Sequence, residues 1–395
     1  MSKLDQRLAG VLHELRERGT YKVLRNLTAP MAPTTQIEGI GEVLVFCSNN
    51  YLGLADHPEV IEAGIEGLRR YGAGTASVRF ICGSLECHRL LEERVADFFG
   101  TESALSYTSC WNANEGLLPA IASDADAIVS DTLNHASIID AGRLSRARRK
   151  VYAHSDMDSL DAALADVADA DISIVVTDGV FSMEGDVAKL AEIRAVCDRH
   201  GAVLVVDDSH GTGVLGATGR GAHEYLGLPC GSTAGVDIVT STFGKALGGG
   251  NGGFVAGSRE LIDYLIQRSR PHLFSNALAP PTAMSALKAL EILEREPQRV
   301  ERLHDNVSLM REGLRSLGYE VTESPSGIIP IMIGETAAAI RLSDRLLEMG
   351  IFVVGFGFPV VPEGQARLRV QMSAAHTNAH IQKSLDAFER LRAEK

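Results

Sequence analysis

Between residues 58 and 275 the chain alternates helical patterns of apolar residues with short, nearly continuous apolar runs. The runs lie at residues 104–107, 127–130, 172–177, 203–206, 238–240 and 254–256. A short apolar run between helices is typical of a strand that is buried on both faces, as the strands of parallel sheets are. The alternation therefore predicts an α/β domain built on a mostly parallel sheet.

The pattern changes after Pro280, where long helical segments precede three strand candidates and a closing helix. The strand candidates lie at residues 328–333, 351–354 and 368–371. At the other end, apolar residues recur at helical spacing between residues 4 and 15, which predicts an amphipathic helix instead of a signal peptide. We expect an N-terminal segment (1–57), a large domain (58–280) and a small α+β domain (281–395).

Charge and composition restrict the kind of partner. A net charge of −13 and a pI near 5.4 argue against a general nucleic-acid surface, and we interpret the basic run 143–150 as a solvated helix face. The longest apolar run, 351–361, is too short to cross a bilayer. Six scattered cysteines form no CxxC pair and no zinc-site spacing. We therefore expect a cytoplasmic protein with no metal, nucleic-acid or membrane partner.

Lys245 follows a probable buried strand and opens a glycine-rich loop, residues 248–253, in which the backbone can approach a flat or charged ligand closely. Such a lysine is a candidate Schiff-base nucleophile. A P-loop is excluded because Ala246 stands where the magnesium-binding Ser or Thr belongs. The loop formally matches a dinucleotide fingerprint but lacks its strand and acidic-residue context. The alternative interpretation, that Lys245 is an ordinary surface lysine before a turn, remains open.

Asp207 ends the apolar run 203–206, and the carboxyl ends of parallel strands carry binding sites. A carboxylate there could hold the proton on a pyridine nitrogen, which the ring of pyridoxal 5′-phosphate (PLP) needs to accept electrons. The alternative is that Asp207 caps the next turn, and we prefer that interpretation for Asp208.

The loops after three other strands carry polar groups. Ser109 begins a helix whose N–H groups could hold a phosphate, or it simply caps that helix. His135 could stack on an aromatic ring or be a hydrogen-bonded core histidine. Ser182 could bond a phenolic oxygen or shape its turn.

Five motifs together identify a family. They are Asn49–Leu54, Asn134–Ser137, Asp178–Gly185, Asp207–Gly211 and Thr242–Lys245. In this order the set resembles the α-oxoamine synthases, and the resemblance extends from about residue 20 to the end of the chain. It implies the fold of the fold-type I PLP-dependent transferases, which is also the fold of aspartate aminotransferase. It also implies an enzyme that condenses an amino acid with an acyl-CoA.

The resemblance implies a role for each matching residue around the PLP ring. Lys245 would bind the cofactor covalently, and His135 would stack on the ring. Asp207 would pair with the ring nitrogen, while His210 and Ser182 would bond the ring hydroxyl. Lys245, His135, Asp207 and His210 would thus form the catalytic set.

The resemblance also implies the remaining contacts. The phosphate would be held by Ser109, Cys110, Trp111 and Thr242. Asn49 and Arg369 would bind the amino-acid carboxylate, with Arg367 as a second candidate. Phe274 and Ser275 would come from the neighbouring subunit, which implies a homodimer with shared active sites.

Three stretches are similar to one branch of the family: residues 77–83, 269–276 and 365–377. That branch condenses glycine with acetyl-CoA and releases 2-amino-3-oxobutyrate. The alternatives are branches that use another acyl-CoA and lose carbon dioxide, as in the synthesis of 8-amino-7-oxononanoate or of sphingoid bases. A PLP aminotransferase or lyase, and a non-catalytic binding homologue, also stay open.

Overall fold

The computed structural model describes residues 1–393 and contains two compact units. The large unit comprises residues 49–182 and 186–302. The small unit comprises residues 1–48 and 183–185 and the chain from residue 303 onward.

The elements up to the middle of the chain are α1 (Lys3–Glu17), β1 (Thr34–Ile37), β2 (Gly41–Val45), α2 (Pro58–Tyr71), a π-helical turn (Arg79–Gly83), α3 (Glu86–Phe99), β3 (Ser103–Tyr107), α4 (Cys110–Ile121), β4 (Ala127–Asp131), α5 (Ala136–Leu144), β5 (Arg148–Tyr152), α6 (Met157–Ala165), β6 (Ser173–Asp178), α7 (Leu190–His200) and β7 (Val203–Asp207). They are followed by α8 (Ala222–Tyr225), β8 (Ile238–Thr242), β9 (Gly253–Gly257), α9 (Arg259–Arg268), α10 (Arg270–Phe274), α11 (Pro280–Arg295), α12 (Gln298–Ser316), β10 (Ile328–Gly334), α13 (Thr336–Glu348), β11 (Ile351–Phe352), β12 (Val354–Phe356), β13 (Ala366–Gln371) and α14 (Asn378–Ala393).

The large unit is built on a seven-stranded sheet in the order β3-β9-β8-β7-β6-β4-β5. Six strands run parallel, and only β9 runs antiparallel to both of its neighbours. The aliphatic side chains of the central strands are buried, as Val175 and Leu204 illustrate. Each fully buried Val, Leu or Ile stabilises the fold by about 1.5–3 kcal/mol. The predicted α/β fold with a mostly parallel sheet is confirmed, and all six predicted strands of this unit are present.

The interpretation of the basic run 143–150 as a solvated helix face is wrong. Helix α5 ends at Leu144, and residues 148–150 lie in β5, not on a helix face. Strand β5 is the edge of the sheet, with β4 as its one neighbour, so Arg148 and Arg149 can stay exposed while Tyr152 is buried. Charged residues on an edge strand discourage further strand pairing. Their charge masked the strand in the sequence.

Helix α11 belongs to the large unit, although the sequence analysis put a boundary at residue 280. It packs against α2 and α3. Glycines on α2 permit the close contact: a Cβ at Gly67 would lie 2.9 Å from both the carbonyl oxygen of Pro280 and the Cα of Pro281. The helical pattern after Pro280 therefore completes the large unit, and the small unit resumes at residue 303.

The small unit contains two three-stranded sheets, ordered β1-β2-β11 and β10-β13-β12. The three C-terminal strand predictions are confirmed, except that the second divides into β11 and β12. Ile37, Val43, Val45 and Leu347 form an apolar cluster in this unit. The predicted N-terminal helix is α1, and none of its residues is buried. Within residues 1–393, no helix is long and apolar enough to cross a membrane.

Candidate active site

A pocket opens at the carboxyl ends of the parallel strands in the large unit, with about 620 Å³ of space including its open mouth. Loops that follow β3, β4, β6, β7 and β8 supply its walls. The lining residues are Ser109, Cys110, Trp111, His135, Ser137, Asp178, Val180, Ser182, Asp207, Ser209, His210, Thr242 and Lys245. Nine of them were predicted as site residues from the sequence. Parallel strands place their carboxyl ends at one edge of a sheet, which is why distant motifs meet here.

Lys245 lies in the turn that follows β8. Its neighbours Phe243, Ala246 and Leu247 are buried and fix the turn. The carbonyl oxygen of Lys245 accepts a hydrogen bond from the N–H of Gly249 (3.1 Å). The rigid turn thus presents the lysine side chain to the pocket.

Asp207, the last residue of β7, is 4% exposed. One oxygen, Oδ2, accepts from Asn114 Nδ2 (2.7 Å) and from the thiol of Cys110 (3.5 Å). The other, Oδ1, accepts from the N–H of Ser209 (3.0 Å). All three donors are neutral, so they orient the carboxylate without cancelling its charge. A buried carboxylate held this way favours a cationic group on its ligand.

His135 is the N-cap residue of α5, and its ring faces the indole of Trp111, edge to face, with ring centroids 5.9 Å apart. The backbone N–H of His135 donates to Asp178 Oδ2 (2.8 Å), and its ring atom Nδ1 lies 2.8 Å from the hydroxyl of Ser137. The ring is exposed at the pocket, yet enough protein surrounds it that burial lowers the pKa of the imidazole. Asp207 opposes that shift and Lys245 reinforces it. The structure therefore favours a neutral His135.

His210 and Ser182 line the same pocket from the loops after β7 and β6. The ring of His210 is positioned from behind by Tyr51, whose hydroxyl lies 2.8 Å from Nδ1. Tyr51 is fully buried, so the hydrogen bond is shielded from water.

The N-terminus of α4 forms one end of the pocket. Ser109 caps it by accepting from the N–H of Asn112 (3.1 Å). The first N–H groups of any α-helix have no acceptor within the helix, so those not capped can bind a ligand. Strand β9 approaches so closely that a Cβ at Gly253 would lie 2.3 Å from the nitrogen of Cys110. Thr242 lies on the adjoining strand end and donates to the carbonyl of Gly252 (2.9 Å). A helix N-terminus next to a hydroxyl suits a phosphate group.

Three buried carboxyl groups lie near one another. Burial, followed by the charge of Asp207, raises the pKa of Asp178 well above its usual range. Burial also raises the pKa of Asp208 to about 8, although hydrogen bonds from Ala222 and Thr212 oppose the shift. Asp208 is thus a buried group that holds its turn, as the sequence analysis preferred, and it does not line the pocket.

Three predicted residues of the large unit lie outside the pocket lining. Phe274 and Ser275, at the end of α10, are exposed, and Phe274 is 71% exposed. Asn49 lies in the segment before α2. The pocket of one chain therefore does not include the residues that the family resemblance assigns to a neighbouring subunit.

In the small unit, Arg367 and Arg369 both lie on β13 and are both buried. Arg367 donates to the carbonyl of Met183 (3.0 Å) and pairs with Glu184 (3.1 Å). Arg369 donates to the amide oxygen of Gln371 (2.9 Å), and its guanidinium lies 4.8 Å from the ring centre of Phe356. Arg367 thus pairs with a carboxylate within its own unit. The preference for Arg369 over Arg367 as the carboxylate ligand rests on the family resemblance and stays a prediction.

Several residues of the site were not predicted from the sequence. Ser137, Asp178, Val180 and Ser209 line the pocket, and Asn114 bonds Asp207 from behind. Asp178 ends β6, so the strand-end rule that selected Asp207 could have found it. Asn114 lies inside a helix, where nothing in the sequence distinguishes it.

The pocket fits PLP on three observations. A buried carboxylate with neutral donors suits the protonated ring nitrogen, and a helix N-terminus that only glycine can approach suits the phosphate. Lys245 supplies the amine. No group of three or more His, Cys, Asp or Glu among residues 1–393 is arranged to hold a metal ion. The fold and this site define a fold-type I PLP-dependent transferase.

Comparison with known proteins agrees. The model of the family "Aminotransferase class I and II" matches residues 41–388, and the chain belongs to this family. It is 44% identical to the 2-amino-3-ketobutyrate coenzyme A ligase of Escherichia coli K12 over 98% of this chain and 96% of that protein. It is 43% identical to the 8-amino-7-oxononanoate synthase of Symbiobacterium thermophilum over 95% of each chain.

A solved structure shows the same fold. Serine palmitoyltransferase from S. paucimobilis, with bound PLP–myriocin aldimine, superposes with a TM-score of 0.93 at 30% identity. The alignment covers 100% of this chain and 99% of that chain. The resemblance to the α-oxoamine synthases is therefore confirmed, because all three named relatives were expected from it.

Proposed function

We propose that the chain condenses glycine with acetyl-CoA to give 2-amino-3-oxobutyrate and CoA, with PLP as cofactor. One observation supports this proposal: Lys245, Asp207 and His135 line one pocket, in a chain that is 44% identical to a 2-amino-3-ketobutyrate coenzyme A ligase. PLP, when bound, supplies the electron sink that makes the α-carbon of glycine acidic. The reaction is a PLP-dependent acyl transfer, and it is reversible.

The side chains at the ring have separate tasks in this proposal. Lys245 would hold the cofactor and, once glycine has displaced its amine, move the α-proton. Asp207 would keep the ring nitrogen protonated, because a buried carboxylate held by neutral donors favours a cationic partner. His135 would stack on the ring, and His210 with Ser182 would bond the ring hydroxyl.

Other residues would bind the cofactor phosphate and the substrate carboxylate. The backbone of Ser109, Cys110 and Trp111, with Thr242, would hold the phosphate. Arg369 would bind the glycine carboxylate through two parallel hydrogen bonds, assisted by Asn49. Both assignments rest on family motifs and on side chains already held in place by their neighbours.

We also propose a homodimer in which Phe274 and Ser275 complete the site of the other subunit. An isolated bridge between Val78 and Asn276 joins the chain beside Phe274 to the segment that carries Phe80 and Ile81. Phe80, Ile81 and Phe274 are all exposed. An exposed apolar patch of this kind marks an interaction surface, and a second copy of the chain would cover it.

The proposed compartment is the cytoplasm. All six cysteines are free thiols, which a reducing environment maintains. Relatives from human, cattle and mouse carry the word mitochondrial in their names, so the compartment differs among proteins of this kind.

The decisive experiment is a panel of acyl-CoA donors with glycine, analysed by mass spectrometry. Acetyl-CoA should be the best donor and propionyl-CoA a tolerated one, since a pocket rejects an added methylene by only ~1–3 kcal/mol. Succinyl-, pimeloyl- and palmitoyl-CoA should be poor donors. With carboxyl-labelled glycine, the label should stay in the product when borohydride traps it at once.

A second candidate rests on the 43% identity to an 8-amino-7-oxononanoate synthase. It predicts a long dicarboxylic donor and prompt release of the labelled carboxylate as carbon dioxide. Either result would reject the acetyl transfer and keep the family. Turnover of glycine with no dependence on acyl-CoA would indicate an aminotransferase or lyase, and protein that is colourless and binds no PLP would indicate a non-catalytic homologue.

A further inference from the structure

An unbroken hydrogen-bonded chain runs behind the pocket and joins its carboxylate to its histidine. Asn114 Nδ2 donates to Asp207 Oδ2 (2.7 Å) and to the hydroxyl oxygen of Ser137 (2.9 Å). The Ser137 hydroxyl lies 2.8 Å from Nδ1 of His135. Thr240 donates to Asn114 Oδ1 (2.9 Å).

The amide of Asn114 has one possible orientation. An ionised carboxylate only accepts hydrogen bonds, so the group facing Asp207 is the NH₂. The opposite atom is then the oxygen, which accepts from Thr240. Asn114 and Ser137 are 2% and 1% exposed, and Thr240 is fully buried, so water does not compete for these bonds.

The hydrogen bonds from Asn114 to Ser137 and from Ser137 to His135 also determine which ring nitrogen of His135 carries the proton. Ser137 accepts from Asn114, which leaves its own hydroxyl proton for Nδ1 of His135. The N–H of Ser137 points at the same nitrogen (3.3 Å), because His135 caps α5 through Nδ1. Two donors converge on Nδ1, so Nδ1 is the acceptor and Nε2 carries the hydrogen.

We propose that Asn114 is a positioning residue that, through Ser137, fixes His135 as the neutral Nε2–H tautomer while it orients Asp207. His135 then presents a permanent hydrogen-bond donor to a bound oxygen, such as the thioester carbonyl of the acyl-CoA. The inference rests on the proposed function for that last step and for the proton transfer assigned to Lys245. The burial that lowers the pKa of His135 acts in the same direction, because it disfavours the charged ring.

A neutral His135 whose Nδ1 is already occupied by two donors does not compete with the amine of Lys245 for the proton of the substrate. Lys245 moves the proton of the substrate, and a protonated His135 beside it would repel the ammonium form of that lysine. A neutral histidine avoids the repulsion. The network itself provides no path for a proton between His135 Nδ1 and Asp207, because Asn114 bonds both Ser137 and Asp207 through the hydrogens of one NH₂ group.

The test uses the PLP-loaded enzyme labelled with [¹⁵N]histidine. The ring signals of His135 are assigned by their absence in His135→Gln. In the wild type, Nδ1 should be unprotonated and Nε2 protonated at neutral pH. Asn114→Leu and Ser137→Ala should both populate the Nδ1–H form or the charged ring. The kcat for glycine and acetyl-CoA should fall by about 10²-fold, as small misplacements in active sites do, with little change in KM.

The matched control is Asn306→Leu in the small unit. Asn306 is equally a buried amide, and it donates to the carbonyls of Ser373 (2.9 Å) and His376 (3.0 Å). This variant should melt at a lower temperature, like Asn114→Leu, and leave the His135 tautomer unchanged. A tautomer change in the control would reduce the role of Asn114 to general stability.

The outcomes are separable. Folded Asn114→Leu and Ser137→Ala enzymes that keep the Nε2–H tautomer and wild-type kcat would overturn the inference. If Asn114→Leu does not fold, the smaller change Ser137→Ala decides the question. A wild-type enzyme that shows the tautomer but does not join glycine to acetyl-CoA would reject the proposed function and keep the network.

Discussion

Two neighbouring aspartates at the end of β7 show how local environment assigns different chemistry to the same side chain. Asp207 lines the pocket and is held by neutral donors. Asp208 points away from it and is enclosed by glycines; a Cβ at Gly211 would lie 2.1 Å from its Oδ1. Burial raises the pKa of Asp208 to about 8, so Asp208 is largely protonated at neutral pH. The pair offers a matched comparison of a carboxyl group that lines the pocket and a neighbouring one that does not.

Asp207→Asn should therefore abolish most activity, while Asp208→Asn should keep it within a few-fold. The first change removes the charge that would hold the ring proton, and each pKa unit lost there corresponds to about 1.4 kcal/mol. The second replaces a protonated acid by its neutral isostere. Steady-state kinetics and the pH dependence of the cofactor absorption band measure both effects. Near-normal turnover of Asp207→Asn would remove Asp207 from the role of ring partner.

The two arginines of β13 offer a second comparison. Arg369→Lys should raise the KM for glycine roughly tenfold or more, because an ammonium cannot reproduce a planar two-bond contact with a carboxylate. The KM for acetyl-CoA should change little. Arg367→Lys should instead lower the melting temperature, since it weakens the pair with Glu184, and leave the glycine KM unchanged. A raised acetyl-CoA KM with an unchanged glycine KM in Arg369→Lys would move that residue to the CoA site.

At the scale of elements, His154 connects the end of β4 to the turn that follows β6. Its Nδ1 lies 3.0 Å from Asp131 Oδ1 and its Nε2 lies 2.9 Å from Asp186 Oδ2. The carbonyl of Asp186 accepts from the N–H of Phe181, at the start of the turn that carries Ser182. The ring of His154 also packs edge to face on Phe181, with centroids 4.4 Å apart. His154 thus braces a turn that contributes to the pocket.

This brace makes stability depend on pH. Burial alone would lower the pKa of His154, but its hydrogen bonds to Asp131 and Asp186 outweigh burial and raise it to about 10. Because the folded pKa exceeds the unfolded value of about 6.5, the stabilisation is complete below that value and is lost as the pH rises through 10. His154→Gln should cost about 2 kcal/mol at pH 6, as charge-assisted hydrogen bonds do, and clearly less near pH 10.5, where only the packing on Phe181 and the weaker bonds of the neutral ring are lost.

Denaturant unfolding at a series of pH values measures this difference. The control is His13→Gln, which removes a surface pair with Glu17 on α1 and should change the unfolding free energy little at any pH. A penalty for His154→Gln that is the same at pH 6 and pH 10.5 would contradict the charged brace.

Elements were predicted well where burial was symmetric and poorly where it was not. The central strands read as apolar runs because helices cover both faces of the sheet. Strand β5, at the sheet edge, keeps three consecutive basic residues and gave no such signal. The site followed the same rule: residues at strand ends were predictable from position. Asn114 and Ser137 owe their role to contacts between segments 23 residues apart in the chain, which no local pattern encodes.

At the scale of the whole molecule, the proposed active site draws residues from two subunits. The pocket of the large unit lacks Phe274 and Ser275, and the proposal assigns both to the neighbouring subunit. The exposure of Phe274, Phe80 and Ile81 gives a physical reason to expect a second copy, because burying large side chains of this kind stabilises an interface.

Complementation between two inactive variants tests this assignment. Lys245→Ala removes the lysine, and the double variant Phe274→Ala, Ser275→Ala removes the contribution proposed to act across the interface. Each homodimer should be nearly inactive. If the sites are shared, a mixed dimer has one wholly altered site and one wholly wild-type site. An equal mixture unfolded and refolded together should then recover about a quarter of wild-type activity, since half of the dimers are mixed and each has one working site.

A site built from a single chain predicts a different recovered activity. If Phe274 and Ser275 served the site of their own chain, every site in the mixed dimer would contain one defect, and no activity would return. Light scattering on each variant shows whether the double substitution still forms dimers, because loss of the dimer would also prevent recovery. Dimers that form and recover no activity would reject the shared site while leaving Lys245, Asp207 and His135 as the chemistry of a single chain.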